Sequence, residues 1–310
     1  MTQPSFHIPD SLIETTKRRG DAQMRWLERL PQAVERVAAR WSLSLQRPFA
    51  DLSYNYVAPA TLPDGTPAVL KLCFPDPDGD FLHEEAATRA FGGHKCVKLI
   101  DSDLEESALL LERLEPGTML HVLGDDVAET GIAASVMRGL WSVPGSTPPL
   151  HEFPRAEDWI DDARRPSAIP GRKQTLPWID GALARTRELV VATDQPLLLH
   201  GDLHHYNILA AQREPWLAID PHGVVGHPAW ELAPFLINNL ERFPKDDWPS
   251  VIRRRADQLS EELSLDRDEV YAWNATRALQ CAFWSLRDDT RTWDAAVVCA
   301  QEMAKGVDRA

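Results

Sequence analysis

The sequence HGDLHHYNIL occupies residues 200–209, directly after the apolar run Leu197–Leu199. Its acid and amide, Asp202 and Asn207, are five positions apart. A carboxylate can orient a hydroxyl group and accept its proton, and an amide oxygen a few residues later can hold a metal ion. The alternative is that Asp202 is only a turn residue, since aspartate is common in turns.

A second acid, Asp220, ends the apolar run Trp216–Ile219. Because Mg²⁺ prefers hard oxygen ligands, Asn207 and Asp220 are predicted to hold a magnesium ion that bridges nucleotide phosphates. The spacing of Asp202 and Asn207 is that of a kinase catalytic loop. This region therefore predicts phosphoryl transfer from ATP to a hydroxyl group.

The histidines of the same segment have other predicted roles. His200 is expected to be buried and to brace the loop. His204 and His205 can in principle bind a metal, but no cysteine or third histidine nearby completes a zinc site.

Lys71 lies inside the apolar strand pattern Ala68–Leu72. Lysine is almost never buried without a counter-charge. The predicted helix Asp80–Phe91 offers Glu84 and Glu85, in the order that a kinase uses, and we favour Glu84. The alternative is that Lys71 faces solvent on an edge strand.

The remaining patterns predict an α+β protein. Apolar spacing predicts an amphipathic helix at Met24–Trp41. Further strands are predicted at Leu52–Val57, Val97–Ile100 and Ala108–Leu111, and further helices at Asp126–Trp141, Ala156–Arg165, Pro177–Ala192 and Val270–Leu286.

The loop that precedes the lysine strand contains no glycine, although a glycine-rich loop would let backbone N–H groups cover the phosphates. Ser53 and Asn55 are the candidates for this contact. The motif G-x-x-x-x-G-K-[ST] is also absent from the sequence, which excludes a P-loop kinase.

Taken in order, these residues make the chain resemble the aminoglycoside phosphotransferase family, and within it the streptomycin 6-kinase and hydroxyurea phosphotransferase group. The likeness covers most of the chain. Besides the segments above, it rests on LLLERLEPGT at 109–118, IDPHGVVGHPAWELA at 219–233, LDR at 265–267 and WSL at 284–286.

The resemblance implies a two-lobed, protein-kinase-like fold with ATP between the lobes. Residues 1–114 would form a small β-rich N-terminal lobe, and residues 115–310 a larger, mainly helical C-terminal lobe. The implied roles are a catalytic base at Asp202, magnesium ligands at Asn207 and Asp220, a phosphate-positioning pair at Lys71 and Glu84, an adenine-binding hinge that includes Glu112 and Leu114, and a structural brace at Glu231.

Two positions depart from the group. Residue 222 is commonly a lysine and residue 227 commonly an acid, whereas this chain has His222 and His227. Both lie beside the predicted metal site, so the geometry of the substrate or the phosphates is expected to differ here.

The substrate is expected to be a small cation that carries a hydroxyl group. Its guanidinium or ammonium groups can be bound by carboxylates and stacked on an aromatic ring. The alternative is that these carboxylates only line solvated faces. The candidates are Asp158, Asp161, Trp284, Asp288 and Asp289.

Net charge, apolar runs and cysteine content indicate which partners and which cellular compartment to expect. The formal net charge of −14 argues against a nucleic-acid partner and fits either attraction of a cationic substrate or simple solubility. No apolar run is long enough to span a membrane, and four scattered cysteines predict a reducing cytoplasm rather than disulfides. The sequence is silent on the oligomeric state.

Three other functions were weighed against phosphoryl transfer to an aminoglycoside. The first is a kinase of the same fold that acts on another small alcohol or amine-bearing metabolite. The second, a non-catalytic ATP-binding module, is disfavoured because the set Lys71, Asp202, Asn207 and Asp220 is intact. A protein kinase is disfavoured because no A-P-E segment follows Asp220.

Overall fold

The chain divides into two compact units, Met1–Gly117 and Thr118–Ala310. The domain boundary drawn from the sequence, between residues 114 and 115, stays a prediction. The computed structural model describes residues 7–75, 79–142, 152–168, 178–287 and 293–307.

The first unit combines helices with an antiparallel sheet of strand order β1-β2-β3-β5-β4. Its elements are α1 (Asp10–Arg19), α2 (Asp21–Arg40), β1 (Ser44–Leu45), β2 (Tyr56–Thr61), β3 (Pro67–Leu72), α3 (Asp80–Phe91), β4 (Leu99–Asp103) and β5 (Ala108–Glu112). Strand β6 (Pro116–Met119) spans the division between the units.

One face of this sheet is covered by α1 and α2. The apolar stripe of α2, which includes Leu30 and Val37, packs with Leu12 of α1 against Tyr56 and Leu70 of the sheet. Such a stripe at helical spacing is what buries an amphipathic helix on a core, and it confirms the helix predicted there.

The strand predicted at Leu52–Val57 is wrong over its first residues, because β2 begins only at Tyr56. Ser11 explains the difference. Its hydroxyl accepts a hydrogen bond from the Leu52 N–H at 3.0 Å and donates one to the Ala50 carbonyl at 2.7 Å. Helix α1 therefore binds the backbone of the β1–β2 loop, which no local pattern reveals.

The second unit is mainly helical. Its 3₁₀ segments include Ala156–Ala168, where the sequence predicted a helix, and Pro228–Leu232. Its helices and strands are α4 (Asp126–Trp141), α5 (Ile179–Ala192), β7 (Leu197–Leu199), β8 (Ile208–Ala211), β9 (Trp216–Ala218), β10 (Val224–Gly226), α6 (Ala233–Ile237), α7 (Trp248–Leu263), α8 (Arg267–Arg287) and α9 (Trp293–Val307).

Two short antiparallel pairs lie among these helices. Strand β7 pairs with β10, and β8 pairs with β9, so that the HGDLHHYN segment connects one pair to the other. The first unit, which carries a five-stranded sheet beside its helices, and the mainly helical second unit confirm the predicted α+β class. Within the described part of the chain, no helix has the length and apolar character needed to cross a membrane.

Candidate active site

The hairpin β8–β9 brings the predicted metal ligands to one end of a rigid element. Asn207 directly precedes β8, and Asp220 is the second residue after β9. The Ile219 N–H donates to the Asn207 carbonyl at 3.0 Å, which extends the pairing up to these two residues. Asp220 itself has a positive φ of 58°, a conformation that aspartate tolerates better than most residues.

The amide of Asn207 is oriented by its own loop. Its Nδ2 donates to the Asp202 carbonyl at 3.0 Å. An amide whose nitrogen is engaged in this way presents its oxygen as the ligand atom. The oxygen donors of Asn207 and Asp220 are the hard ligands that Mg²⁺ prefers, so the residues present fit such an ion.

His200 connects the loop to both strand pairs. Its imidazole is fully buried, and its Nε2 donates to the Ile219 carbonyl at 2.8 Å while its Nδ1 accepts from the Asp202 N–H at 3.3 Å. Burial lowers the pKa of His200 to about 4, so the ring is neutral near pH 7. The His200 carbonyl accepts from the N–H groups of His222 and Gly223. These contacts are those expected of a brace.

Asp202 lies in a cluster of histidines. Its Oδ2 is 3.5 Å from His204 Nε2 and 4.0 Å from His222 Nε2, and about a third of the side chain is exposed. Burial raises the pKa of Asp202, but interactions with His204, His222 and His200 outweigh burial and hold this pKa well below its usual range. The carboxylate is therefore ionised and can accept a hydrogen bond from a hydroxyl group.

Glu231 anchors the start of the loop. Its carboxylate is fully buried and accepts the His200 N–H at 2.7 Å and the Gly201 N–H at 2.9 Å. Burial raises the pKa of Glu231 to about 7, although these two hydrogen bonds act in the opposite direction. The side chain thus holds two consecutive peptide groups immediately before Asp202.

In the first unit, Lys71 forms the ion pair that the sequence predicted. Its Nζ is 2.6 Å from Glu84 Oε1, and only 3% of Lys71 and 8% of Glu84 is exposed. Strand β3 lies between β2 and β5, where Lys71 is paired with Val57 and Leu109. The alternative of a solvent-facing edge lysine is therefore wrong. Glu85 instead contacts Arg89 and Ser102.

The other nucleotide candidates differ in what they contact. Ser53 is exposed, whereas the Asn55 side chain accepts the Phe74 N–H at 3.3 Å and so fixes backbone. Glu112 ends β5 and its carboxylate accepts the Lys98 N–H at 3.1 Å. Leu114 is half-buried in the short connection between β5 and β6. Their roles in nucleotide binding stay predictions.

The substrate candidates have contacts of their own. Asp158 accepts the Arg155 N–H at 3.3 Å, and Asp161 pairs with Arg187, both on exposed positions. The ring of Trp284 already stacks with the guanidinium of Arg277, 4.6 Å from the ring centroid. Asp288 and Asp289 lie outside the described residues.

The sequence patterns did not reveal a buried network of ionisable side chains that lies beneath the loop 200–207. His205 is fully buried, stacks on Phe235 with ring centroids 4.0 Å apart, and has its Nε2 3.6 Å from Glu129 Oε2. Burial holds the pKa of His205 far below its usual value, so the ring is neutral. Ligand atoms of Asp126, Glu129 and His205 lie close enough to bind one metal ion.

Guanidinium groups occupy the two carboxylates of this cluster, however. Asp126 forms ion pairs with Arg242, Arg254 and Arg255. Glu129 forms one with Arg242. Adding a cation beside them would be electrostatically costly, so the cluster is a structural ion network under the loop. The hydrogen bonds from these arginines to Asp126 and Glu129 span 113 to 129 positions in the sequence, which is why no local spacing indicated the network.

Comparison with known proteins gives a consistent result. The family model described as aminoglycoside/hydroxyurea antibiotic resistance kinase matches residues 40–289. The chain is 35% identical to the streptomycin 6-kinase of Streptomyces griseus, covering 97% of this chain and 98% of that protein. It is 34% identical to the hydroxyurea phosphotransferase of Kitasatospora aureofaciens, covering 91% and 81%.

Solved structures support the fold at low sequence identity. A choline kinase from Streptococcus pneumoniae superposes with a TM-score of 0.56 at 13% identity, covering 92% of this chain and 99% of that chain. An aminoglycoside phosphotransferase in a ternary complex with ADP and hygromycin B gives a TM-score of 0.56 at 14% identity, covering 88% and 97%. The kinase-like fold predicted from the sequence is confirmed.

Proposed function

Because the chain belongs to the aminoglycoside/hydroxyurea antibiotic resistance kinase family, we propose that it transfers the γ-phosphate of ATP to a hydroxyl group of a streptomycin-like aminoglycoside. The observation that carries this proposal is the loop geometry. An ionised Asp202 stands on a braced loop, and the same loop leads into a hairpin whose end presents Asn207 and Asp220.

The proposed chemistry follows from these groups. Asp202 accepts a hydrogen bond from the acceptor hydroxyl and orients its oxygen toward the γ-phosphorus, which is most of what a loose phosphoryl-transfer transition state needs from the protein. Asn207 and Asp220 would hold a divalent cation, proposed to be Mg²⁺, that neutralises charge on the phosphates. Lys71, held by Glu84, would contact the α- and β-phosphates.

The choice of streptomycin as the first acceptor rests on the relatives. Two of them, from Streptomyces griseus and Streptomyces glaucescens, are streptomycin 6-kinases at 35% and 34% identity over nearly their whole length. Hydroxyurea is a second candidate acceptor, because a hydroxyurea phosphotransferase is 34% identical over most of this chain.

The test measures magnesium-dependent ADP release with streptomycin, other aminocyclitols, hydroxyurea and choline as acceptors, and identifies the product by ³¹P NMR. We expect streptomycin to stimulate ADP release most strongly. If hydroxyurea does so instead, the second candidate replaces the first. If no acceptor stimulates ADP release while an ATP analogue still binds, the proposed substrate class is wrong.

A matched pair of variants tests the role of Asp202. Asp202→Asn keeps the shape of the side chain and should lower kcat by at least about 100-fold, with binding of the ATP analogue retained in a thermal-shift assay. Asp194→Asn, at an exposed position before β7, should leave kcat unchanged. Wild-type turnover in Asp202→Asn would contradict the assignment.

A further inference from the structure

Helix α8 contributes a buried cation to the base of the catalytic loop. Arg277 is only 1% exposed, and its guanidinium lies between two tryptophan rings, 4.0 Å from the centroid of Trp230 and 4.6 Å from that of Trp284. Trp159 packs against both rings. A flat, weakly hydrated guanidinium is the cation that suits such a slot, and a desolvated one interacts strongly with aromatic faces.

The hydrogen bonds of Arg277 show where this cation acts. Its Nη2 donates to the Gly201 carbonyl at 3.1 Å, and its Nη1 donates to Gln280 Oε1 at 3.2 Å. Burying a cation costs several kcal/mol unless the protein replaces its hydration. Here two ring faces and two oxygens replace part of that hydration, while Nε has no hydrogen-bond partner among the described residues. One of the two oxygens belongs to the residue immediately before Asp202.

The Gly201 carbonyl belongs to the peptide group that joins Gly201 to Asp202. The N–H of that peptide group, on Asp202, donates to His200 Nδ1 at 3.3 Å. The preceding peptide group is held by Glu231, which accepts the Gly201 N–H at 2.9 Å. Arg277 therefore holds the carbonyl side of the peptide group whose N–H side is held by His200.

Gly201 cannot supply this rigidity by itself. It has a φ of +87°, which glycine adopts easily because it lacks a Cβ, and a Cβ there would lie 2.9 Å from Val224 Cγ2. The conformation that the loop needs is thus specified by the surrounding contacts, and Arg277 provides the one on the carbonyl side.

We propose that Arg277 is a positioning residue for Asp202: it holds the Gly201–Asp202 peptide group so that the carboxylate meets the acceptor hydroxyl in the geometry of transfer. The inference rests on the proposed function, because it needs Asp202 to orient that hydroxyl. A misplacement of about 1 Å in a reacting group can cost on the order of 100-fold in rate, so a loosened peptide group should appear in kcat.

The test compares Arg277→Met with Arg267→Met. Methionine can pack between the tryptophan rings but donates no hydrogen bond to Gly201. Arg267 is a matched control, since it is on the same helix, lies over the ring of Tyr271 at 4.5 Å and pairs with the surface residue Asp257. Kinetics are measured per folded molecule, with the folded fraction taken from near-UV circular dichroism.

We expect Arg277→Met to lower kcat by about 10- to 100-fold while KM for ATP and for the acceptor change by less than about threefold. Arg267→Met should retain wild-type kcat. A loss of activity in Arg277→Met that disappears after correction for the folded fraction, or a kcat within twofold of wild type, overturns the proposal.

Arg277→Lys decides the matter if the methionine variant does not fold. Lysine keeps the charge but lacks the flat shape that the slot requires, so kcat should fall at least fivefold at unchanged KM. An unchanged kcat overturns the proposal. Failure of the proposed function is separate, since the wild-type enzyme would then release no ADP with any acceptor.

Discussion

Replacing Glu84 by glutamine keeps the shape of the side chain and removes the charge that lies 2.6 Å from the Lys71 ammonium. Both residues are buried, and breaking a buried ion pair costs about 3–5 kcal/mol.

The assay is urea denaturation of the full chain, with hydrogen exchange of β3 and α3 used to locate the loss of stability. The unfolding free energy of the transition that includes Met1–Gly117 should fall by this amount, about 3–5 kcal/mol. The KM for ATP should rise as well, because the lysine that is proposed to hold the phosphates loses its orientation.

Glu85→Gln is the matched control, one position away on the same helix. Its carboxylate pairs with Arg89, whose side chain is 63% exposed, and exposed pairs contribute about 0–1 kcal/mol. We expect this variant to lose no more than about 1 kcal/mol and to retain its KM for ATP. If Glu84→Gln and Glu85→Gln lose the same stability within about 1 kcal/mol, the buried pair does not stabilise the unit as argued.

Three further predictions concern the second unit. Glu231 has a folded-state pKa of about 7 against 4.5 ordinarily, so its contribution to stability is fully present below pH 4.5 and is lost as pH rises through 7. The unfolding free energy of the wild type relative to Glu231→Gln should therefore fall by on the order of 3 kcal/mol between these pH values, measured by urea denaturation, and a flat difference would contradict the buried carboxyl. Asp220→Asn should raise the Mg²⁺ concentration needed for half-maximal ADP release by at least about tenfold, while a wild-type titration curve would remove Asp220 from the metal site. Gly201→Ala should lower both Tm and kcat, because its Cβ would lie 2.9 Å from Val224 at a positive φ that alanine resists, and a variant with wild-type Tm would show that the loop relaxes at no cost.

Parts of the fold could be predicted because their limits are set by local chemistry. Helix α3 ends where Gly92 adopts a φ of 57° as its cap, and helix α4 begins where Asp125 accepts the N–H groups of Val127 and Ala128. Capping acts within a few residues. The sequence therefore located both helices correctly.

The same reasoning located the Lys71–Glu84 pair, since a lysine in a buried strand pattern requires a nearby acid and the following helix offered two. It could not locate the start of β2, because the preceding loop is bound by Ser11, about 40 residues upstream. Nor could it find Arg277, whose contact with Gly201 spans 76 positions. Contacts of this kind depend on tertiary packing and leave no periodic trace.

If the β1–β2 loop contacts the nucleotide as proposed, its hydrogen bonds with Ser11 affect nucleotide affinity. Ordering a flexible segment around a ligand consumes part of the binding free energy, at about 1–2 kcal/mol for each backbone residue that becomes fixed. In a loop without glycine that is already tied to α1, much of this entropy is lost when the polypeptide folds, before any ATP arrives. Helix α1, which carries none of the proposed reacting groups, would thereby preorganise the segment that is proposed to contact the phosphates.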